Sequence, residues 1–156
     1  MFPKLLSSQI IIYNCILFFS FSLSVNYFAN FEIVNYIAYA LFHLTLVYLV
    51  FYFFNFYLIF LSFLYGIFLD IFLIDNISPH LISFLIFVVV FNFTKKYLLN
   101  LSSNKVSYLI ICITLILLLS EAILANLQFN YPINYVKLFW IIVTTIILFF
   151  PSLLIF

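Results

Sequence analysis

Residues 62–85 read SFLYGIFLDIFLIDNISPHLISFL, two apolar runs that flank the polar segment DNISPH. Apolar runs long enough to cross a lipid bilayer predict membrane-spanning helices, so this stretch predicts two such helices joined by a short loop. The first run nevertheless contains an acid, Asp70, and four residues before it lies Gly66, the only glycine of the chain. Since residues four apart share one face of a helix, the acid and the glycine are expected to mark a single packing face.

The composition of the whole chain indicates the same class of protein. Of the 156 residues, 69% are hydrophobic and 6% are charged, whereas about a quarter of the residues of a soluble domain are charged. The chain therefore predicts an all-α integral membrane protein embedded in a lipid bilayer. A net charge of +1 and the absence of arginine argue against nucleic acid as a partner, because binding to nucleic acid needs clustered basic side chains.

Polar residues divide the chain into about six predicted membrane-spanning helices, within a single transmembrane domain that covers residues 1–156. The break between the second and third spans is the weakest, because Asn55 is the only turn signal there. Residues 33–74 are nevertheless far too many for one span, which needs about 20 residues. The predicted spans are 9–25, 33–51, 57–74, 80–98, 106–125 and 137–156.

The lysines predict the orientation of these spans. Four of the five lysines fall on one side of the predicted topology, and lysine accumulates on the cytoplasmic side of membranes, so both termini are expected in the cytoplasm. A cleavable signal peptide is an alternative interpretation of the N-terminus, and it leaves the other spans in the same orientation. The lysine-rich side carries Lys4, Lys95, Lys96 and Lys105, and the opposite side carries Glu32, Asp75 and Lys137.

Four ionisable side chains are expected at similar depth near the outer surface, namely Asp70, His80, Glu121 and Lys137. An ionised group at the centre of a span costs about 2.5–3.5 kcal/mol on insertion scales, so Asp70 is expected to face protein, with Lys137 as the best candidate in the chain for the opposite charge. One interpretation is an ionic cluster or a docking site for a partner. The alternative is four separate side chains that reach the membrane interface, and it is favoured for His80, which opens a span beside Pro79.

No group of residues predicts catalysis, a metal site or a cofactor. The chain lacks a glycine-rich phosphate loop, metal-ligand spacing and a Ser/His/Asp set, so we expect a protein that is not an enzyme. His43 falls in the middle of a span with no acid expected at its depth. We therefore expect a hydrogen-bonded core histidine there and not a member of a proton relay.

The segments FLYGIFLDIF and ISPHLISFLIF resemble the bacterial rod shape-determining protein MreD family. Its third span typically ends in a Gly-x-x-x-Asp pattern, matched here by Gly66 and Asp70, and His80 with Leu81 resembles the start of its fourth span. The length, the six-span layout and a proline in the last span, Pro151, are also similar to that family. Both glycines of the family's loop are replaced in DNISPH, and the basic tail common after its last span is missing.

This resemblance implies a non-catalytic membrane scaffold of the cell-wall elongation machinery in the bacterial cytoplasmic (inner) membrane. Its implied partners are MreC and, indirectly, MreB, RodA and its transpeptidase, and its implied fold is similar to the substrate-binding subunit of energy-coupling-factor transporters. Gly66, Asp70, Glu121, Lys137 and His80 would then be helix-packing or partner-binding residues. Two alternatives stay open: a substrate-binding subunit of a small-solute transporter, which should show a polar pocket, and a small hydrophobic subunit of a respiratory complex.

Overall fold

A computed structural model describes residues 8–25, 32–74, 78–98, 103–130 and 132–155, and the described residues form six α-helices. Lys4 and Asp75, which contribute to the predicted orientation, lie outside the described residues. No strand occurs in the described ranges, so the expected all-α class is confirmed. The helices are α1 (Ser8–Val25), α2 (Glu32–Phe53), α3 (Phe56–Ile74), α4 (Pro79–Leu98), α5 (Ser103–Phe129) and α6 (Tyr135–Ile155).

The outside of the bundle is apolar. Large hydrophobic side chains point away from the protein on several helices; Phe56 is 82% exposed, Phe93 76% and Leu127 72%. An apolar surface of this kind is stable against lipid and not against water. Over the described residues, α2, α3, α4 and α5 are long and apolar enough to cross a membrane, whereas α1 and α6 are apolar over shorter ranges. The chain is therefore a membrane-embedded helical protein.

Helix α2 is the central helix of the bundle. It packs against α1, α5 and α6, and the consecutive residues Phe42–Val47 are all buried, so this part of α2 is surrounded on every side. The core around it includes Leu17 of α1, Phe84 of α4 and Leu117 of α5. Helix α3 instead packs mainly against α4, and the two form a hairpin beside the central helix.

Short connections alternate the direction of the helices. Phe54 and Asn55 alone separate α2 from α3, and the backbone N–H of Leu58 bonds the carbonyl of Asn55 at 2.9 Å, so the weak turn signal at Asn55 does break the helix. Helix α5 ends where Asn130 takes a φ of 52°, a left-handed conformation that asparagine tolerates and that terminates many helices. The ends of α1, α3 and α5 and the starts of α2, α4 and α6 consequently share one end of the bundle, the cavity end.

Candidate functional site

Asp70 accepts four hydrogen bonds from the start of α4. The backbone N–H groups of Ser78 and Leu81 donate to Oδ2 at 2.9 and 3.0 Å, and that of His80 donates to Oδ1 at 2.9 Å. The His80 Nδ1 atom lies 2.7 Å from the same Oδ1. The first N–H groups of a helix have no partner within that helix, and a carboxylate interacts favourably with the helix N-terminus. Helix α3 thus supplies the N-terminal cap of α4.

Gly66 permits the close approach that this cap requires. A Cβ atom on Gly66 would lie 2.7 Å from the Leu81 Cα atom and 3.1 Å from the Leu81 backbone nitrogen. Because these are backbone atoms, they cannot give way without a shift of α4. The buried residues Leu58, Ser62, Gly66 and Asp70 are spaced four apart on α3, which places them along one helix face. The expected packing face exists, and its partner at Gly66 and Asp70 is α4 of the same chain.

His80 connects the cap to two other helices. Its Nε2 atom lies 2.8 Å from the hydroxyl of Tyr39 on α2, and this hydroxyl donates to Glu121 Oε2 on α5 at 2.7 Å. His43, one turn after Tyr39, places Nε2 3.0 Å from both oxygens of Glu121 and Nδ1 2.8 Å from the backbone carbonyl of Tyr39. Asp70, His80, Tyr39, Glu121 and His43 form one connected set of hydrogen bonds across α2, α3, α4 and α5, the polar network.

The contacts of the polar network limit the number of protons it holds. Five contacts join its side chains to one another and to the Tyr39 carbonyl, with the two distances from His43 Nε2 to Glu121 counted as one, and each contact needs one proton to be a hydrogen bond. Two carboxylic acids, two neutral imidazoles and one phenol also carry one ionisable proton each, five in all. Every proton arrangement that makes all five bonds therefore has a net charge of zero, which reduces the cost of burial in a membrane.

The position of one charge within this neutral set follows from Asp70. Four donors occupy its two oxygen atoms, and a carboxylate has about four lone-pair positions, so no position remains for a proton of its own. Asp70 is a carboxylate, and His80 donates Nδ1–H to it. Tyr39 donates its hydroxyl proton to Glu121, and the same hydroxyl lies 2.8 Å from His80 Nε2.

Two expectations about individual residues are wrong, as is the premise of a third. His80 is only 4% exposed and Asp70 is fully buried, so His80 is a partner of Asp70 and not a separate side chain at the interface. Lys137 is exposed and makes no ion pair among the described residues, so it is not the partner of Asp70; His80 is. His43 is a buried, hydrogen-bonded core histidine as expected, but an acid does lie at its depth, since Glu121 is 3.0 Å away.

The length of α5 explains the error at His43. The sequence predicts that the fifth span ends near Ala125, whereas α5 continues to Phe129. Glu121 is thus eight residues from the end of its helix, about 12 Å at a rise of about 1.5 Å per residue. This depth brings the Glu121 carboxylate to the level of Tyr39 and His43. The spacing of Tyr39 and His43 on one helix face is the signal in the sequence that pointed to this position.

A cavity of about 500 Å³ lies above the polar network at the cavity end. Tyr39, His80 and Glu121 line its base. Polar residues are scarce in the chain, but several of them converge on this cavity from helices that are far apart in the sequence. The cavity is also lined by Glu32, Asn35 and Tyr36 of α2 and by Asn134 and Lys137 at the start of α6.

Among the described residues, no group of three or more His, Cys, Asp or Glu side chains has an arrangement that could hold a metal ion. Comparisons of this chain with protein-family models, with curated proteins and with solved structures give no match.

Proposed function

We propose that this protein is a non-catalytic scaffold similar to MreD, which assembles in the bacterial cytoplasmic membrane with MreC and, through MreC, with MreB, RodA and its transpeptidase. Its task would be to hold these components together while peptidoglycan is inserted along the side wall of a rod-shaped cell. The proposal includes an orientation with both termini in the cytoplasm.

The observation that supports this proposal is the contact between Gly66, Asp70 and His80. These residues carry the resemblance to the MreD family, and His80 lies on a different helix from Gly66 and Asp70. The three form one unit, in which Gly66 admits the first turn of α4 and Asp70 caps it. Residues that hold one helical hairpin together have a structural role, as expected for a non-catalytic scaffold.

The hydrogen bonds of the polar network favour a scaffold over an enzyme. Both oxygens of Asp70, both ring nitrogens of His80 and His43, and the hydroxyl of Tyr39 have partners within the chain. An acid or base that acts on a substrate needs a free position within hydrogen-bond reach of it. Since Asp70 is fully buried, its effect on a partner such as MreC would pass through the position of the α3–α4 hairpin.

Affinity purification from the cells that naturally make the protein tests the proposal. A tag on the chain should recover MreC from detergent-solubilised membranes, and Asp70→Leu should lose MreC while the variant still reaches the membrane. Glu32→Gln, which changes an exposed carboxylate at the same end of the bundle, is the matched control and should retain MreC. Recovery of no MreC with the unaltered chain, or equal recovery with Asp70→Leu, would contradict the proposal.

A second candidate is the substrate-binding subunit of a small-solute transporter. The observation that favours it is the cavity of about 500 Å³, which is within the range of about 300–1,000 Å³ typical of small-molecule sites. The same purification distinguishes the two functions, since a transporter subunit should recover the ATP-hydrolysing and membrane-coupling subunits of a transporter in place of MreC.

A further inference from the structure

The wall of the cavity is apolar, whereas its mouth carries charged side chains. Its middle is lined by apolar side chains, among them Leu73, Leu118 and Leu138. Its mouth carries an acid and a base on different helices, Glu32 in the first turn of α2 and Lys137 in the first turn of α6. A molecule that fills this space would meet apolar surface along its body and a charge of each sign at its polar end.

The two ionic side chains at the mouth carry opposite charges. Glu32 is an exposed carboxylate and Lys137 an exposed ammonium. A ligand with a net charge would therefore bring an unbalanced charge into a partly apolar space, which is costly. A ligand with one charge of each sign keeps the balance and gains an interaction at each end of the mouth.

Two groups at the mouth lack partners within the described part of the chain. The Oδ1 atom of Asn35 is buried, accepts no hydrogen bond and belongs to a residue that lines the cavity. A buried acceptor without a donor costs free energy, so a donor from a ligand would relieve that cost. On the opposite side, the Lys137 ammonium makes no ion pair among the described residues, and Asn134 Oδ1 accepts the Lys137 backbone N–H at 3.1 Å, which fixes the start of α6.

We infer that this cavity binds a small zwitterion with an apolar body, such as an amino acid with a large apolar side chain. Its ammonium group lies beside the Glu32 carboxylate and Asn35 Oδ1, and its carboxylate lies beside the Lys137 ammonium and the N-terminus of α6. Its side chain packs between the leucines of α3, α5 and α6. The inference goes beyond the scaffold function, and its test uses the purified chain alone, so that its failure leaves the scaffold proposal standing.

The test compares two sets of probes, and the members of each set share one body and differ in charge. L-Phenylalanine and L-leucine carry both charges, phenethylamine and 3-methylbutylamine carry only the respective cations, and 3-phenylpropionate and 4-methylpentanoate carry only the respective anions. Binding to the full chain in detergent is measured by calorimetry and by the shift in unfolding temperature. At least one of the two zwitterions should bind about tenfold more tightly than either single-charge probe of the same set, the effect expected for loss of one charge-assisted hydrogen bond.

Two substitutions at the mouth assign the two charges separately. Lys137→Ala should weaken the zwitterion about tenfold and leave phenethylamine unchanged, and Glu32→Gln should weaken the zwitterion and leave 3-phenylpropionate unchanged. Both residues are exposed, so folding should survive. Lys105→Ala, an exposed lysine at the opposite end of the bundle, should change nothing. The inference is overturned if neither zwitterion binds more tightly than the single-charge probes, or if Lys137→Ala binds the zwitterion like the unaltered chain.

Discussion

Asp70 and His80 are joined twice: the Asp70 Oδ1 atom accepts the backbone N–H of His80 at 2.9 Å and lies 2.7 Å from its ring Nδ1 atom. The first bond fixes where α4 begins relative to α3, and the second turns the imidazole towards Tyr39. One oxygen atom therefore couples the packing of a helical hairpin to the hydrogen bonds of the central helix.

Two substitutions of Asp70 distinguish the contribution of its charge to stability from the contribution of its hydrogen-bonding shape. Asp70→Leu removes all four accepted hydrogen bonds and leaves the N–H groups of Ser78, His80 and Leu81 without acceptors. Asp70→Asn keeps one carbonyl oxygen but replaces the other by an NH₂ group that cannot accept. At about 1.5–3 kcal/mol per hydrogen bond to a charged group, both variants should lower the unfolding temperature in detergent, Asp70→Leu more than Asp70→Asn. Unchanged unfolding of Asp70→Leu would show that the cap does not stabilise the protein.

Gly66→Ala should be strongly destabilising although it adds only one methyl group. That methyl would lie 2.7 Å from the Leu81 Cα atom, so the hairpin must open and the cap at Asp70 must lengthen. The matched control is Ser62→Ala, one turn earlier on the same buried face, which removes a buried hydroxyl without a partner in the described part of the chain and should be neutral or stabilising. We expect a loss of about 1–3 kcal/mol for Gly66→Ala, the range typical of overpacking, measured by unfolding in denaturant. Equal stability of the two variants would show that the close approach of α4 to Gly66 does not forbid a side chain there.

His43 and Glu121 should show energetic coupling. His43 is fully buried between the rings of Phe42 and Phe84, whose centroids lie 5.3 and 5.5 Å from its own. Removal of Glu121 therefore takes away the hydrogen-bond partner of the buried His43 Nε2 atom. Replacement of both partners by apolar residues removes that cost. The double variant His43→Phe/Glu121→Leu should therefore lose less stability than the sum of the single variants, by about 0.5–3 kcal/mol.

The control for this cycle pairs His43→Phe with Thr94→Val. Thr94 lies near the opposite end of the bundle and bonds only the carbonyls of its own helix among the described residues, so its effect should add to that of His43→Phe. Additive losses in the His43/Glu121 cycle would mean that the two side chains do not act as a pair.

The proposed orientation predicts which single cysteines react from which side. In a chain without Cys15 and Cys112, Lys105→Cys should react with a membrane-impermeant thiol reagent only after the cells are opened, whereas Tyr135→Cys should react in intact cells. Both positions are exposed and lie at opposite ends of the bundle. The reverse pattern of labelling would invert the orientation.

The sequence predicts the helices of this protein well and their mutual arrangement poorly. Apolar length and polar breaks place every predicted span on a helix, and the largest difference is at α5, which ends at residue 129 against 125. The helices are apolar on nearly all sides, however, so no polar face indicates how each helix is rotated about its axis. Gly66 and Asp70 reveal one face because both differ from the lipid-facing residues around them.

The partners of Glu121 were beyond this kind of prediction. His43 and Tyr39 lie 78 and 82 residues before it, and only the bundle as a whole brings α2 and α5 together. The sequence places Glu121 near the outer surface, at a depth similar to that of Asp70, His80 and Lys137. The extra turn of α5 moves Glu121 below that surface, and Lys137 stays at the mouth of the cavity.

The two buried acids differ in when they can be satisfied during synthesis. Asp70 finds its partners in the next helix to emerge from the ribosome, so α3 and α4 can enter the bilayer as a pair with the acid already capped. Glu121 depends on side chains made 78 or more residues earlier, and α5 can bury its acid only if α2 is already in place. Until then Tyr39 and His43 have no acid to bond within α2. The last acid to be made thus completes the polar network, and a chain that ends at α4 would present an incomplete network to the membrane.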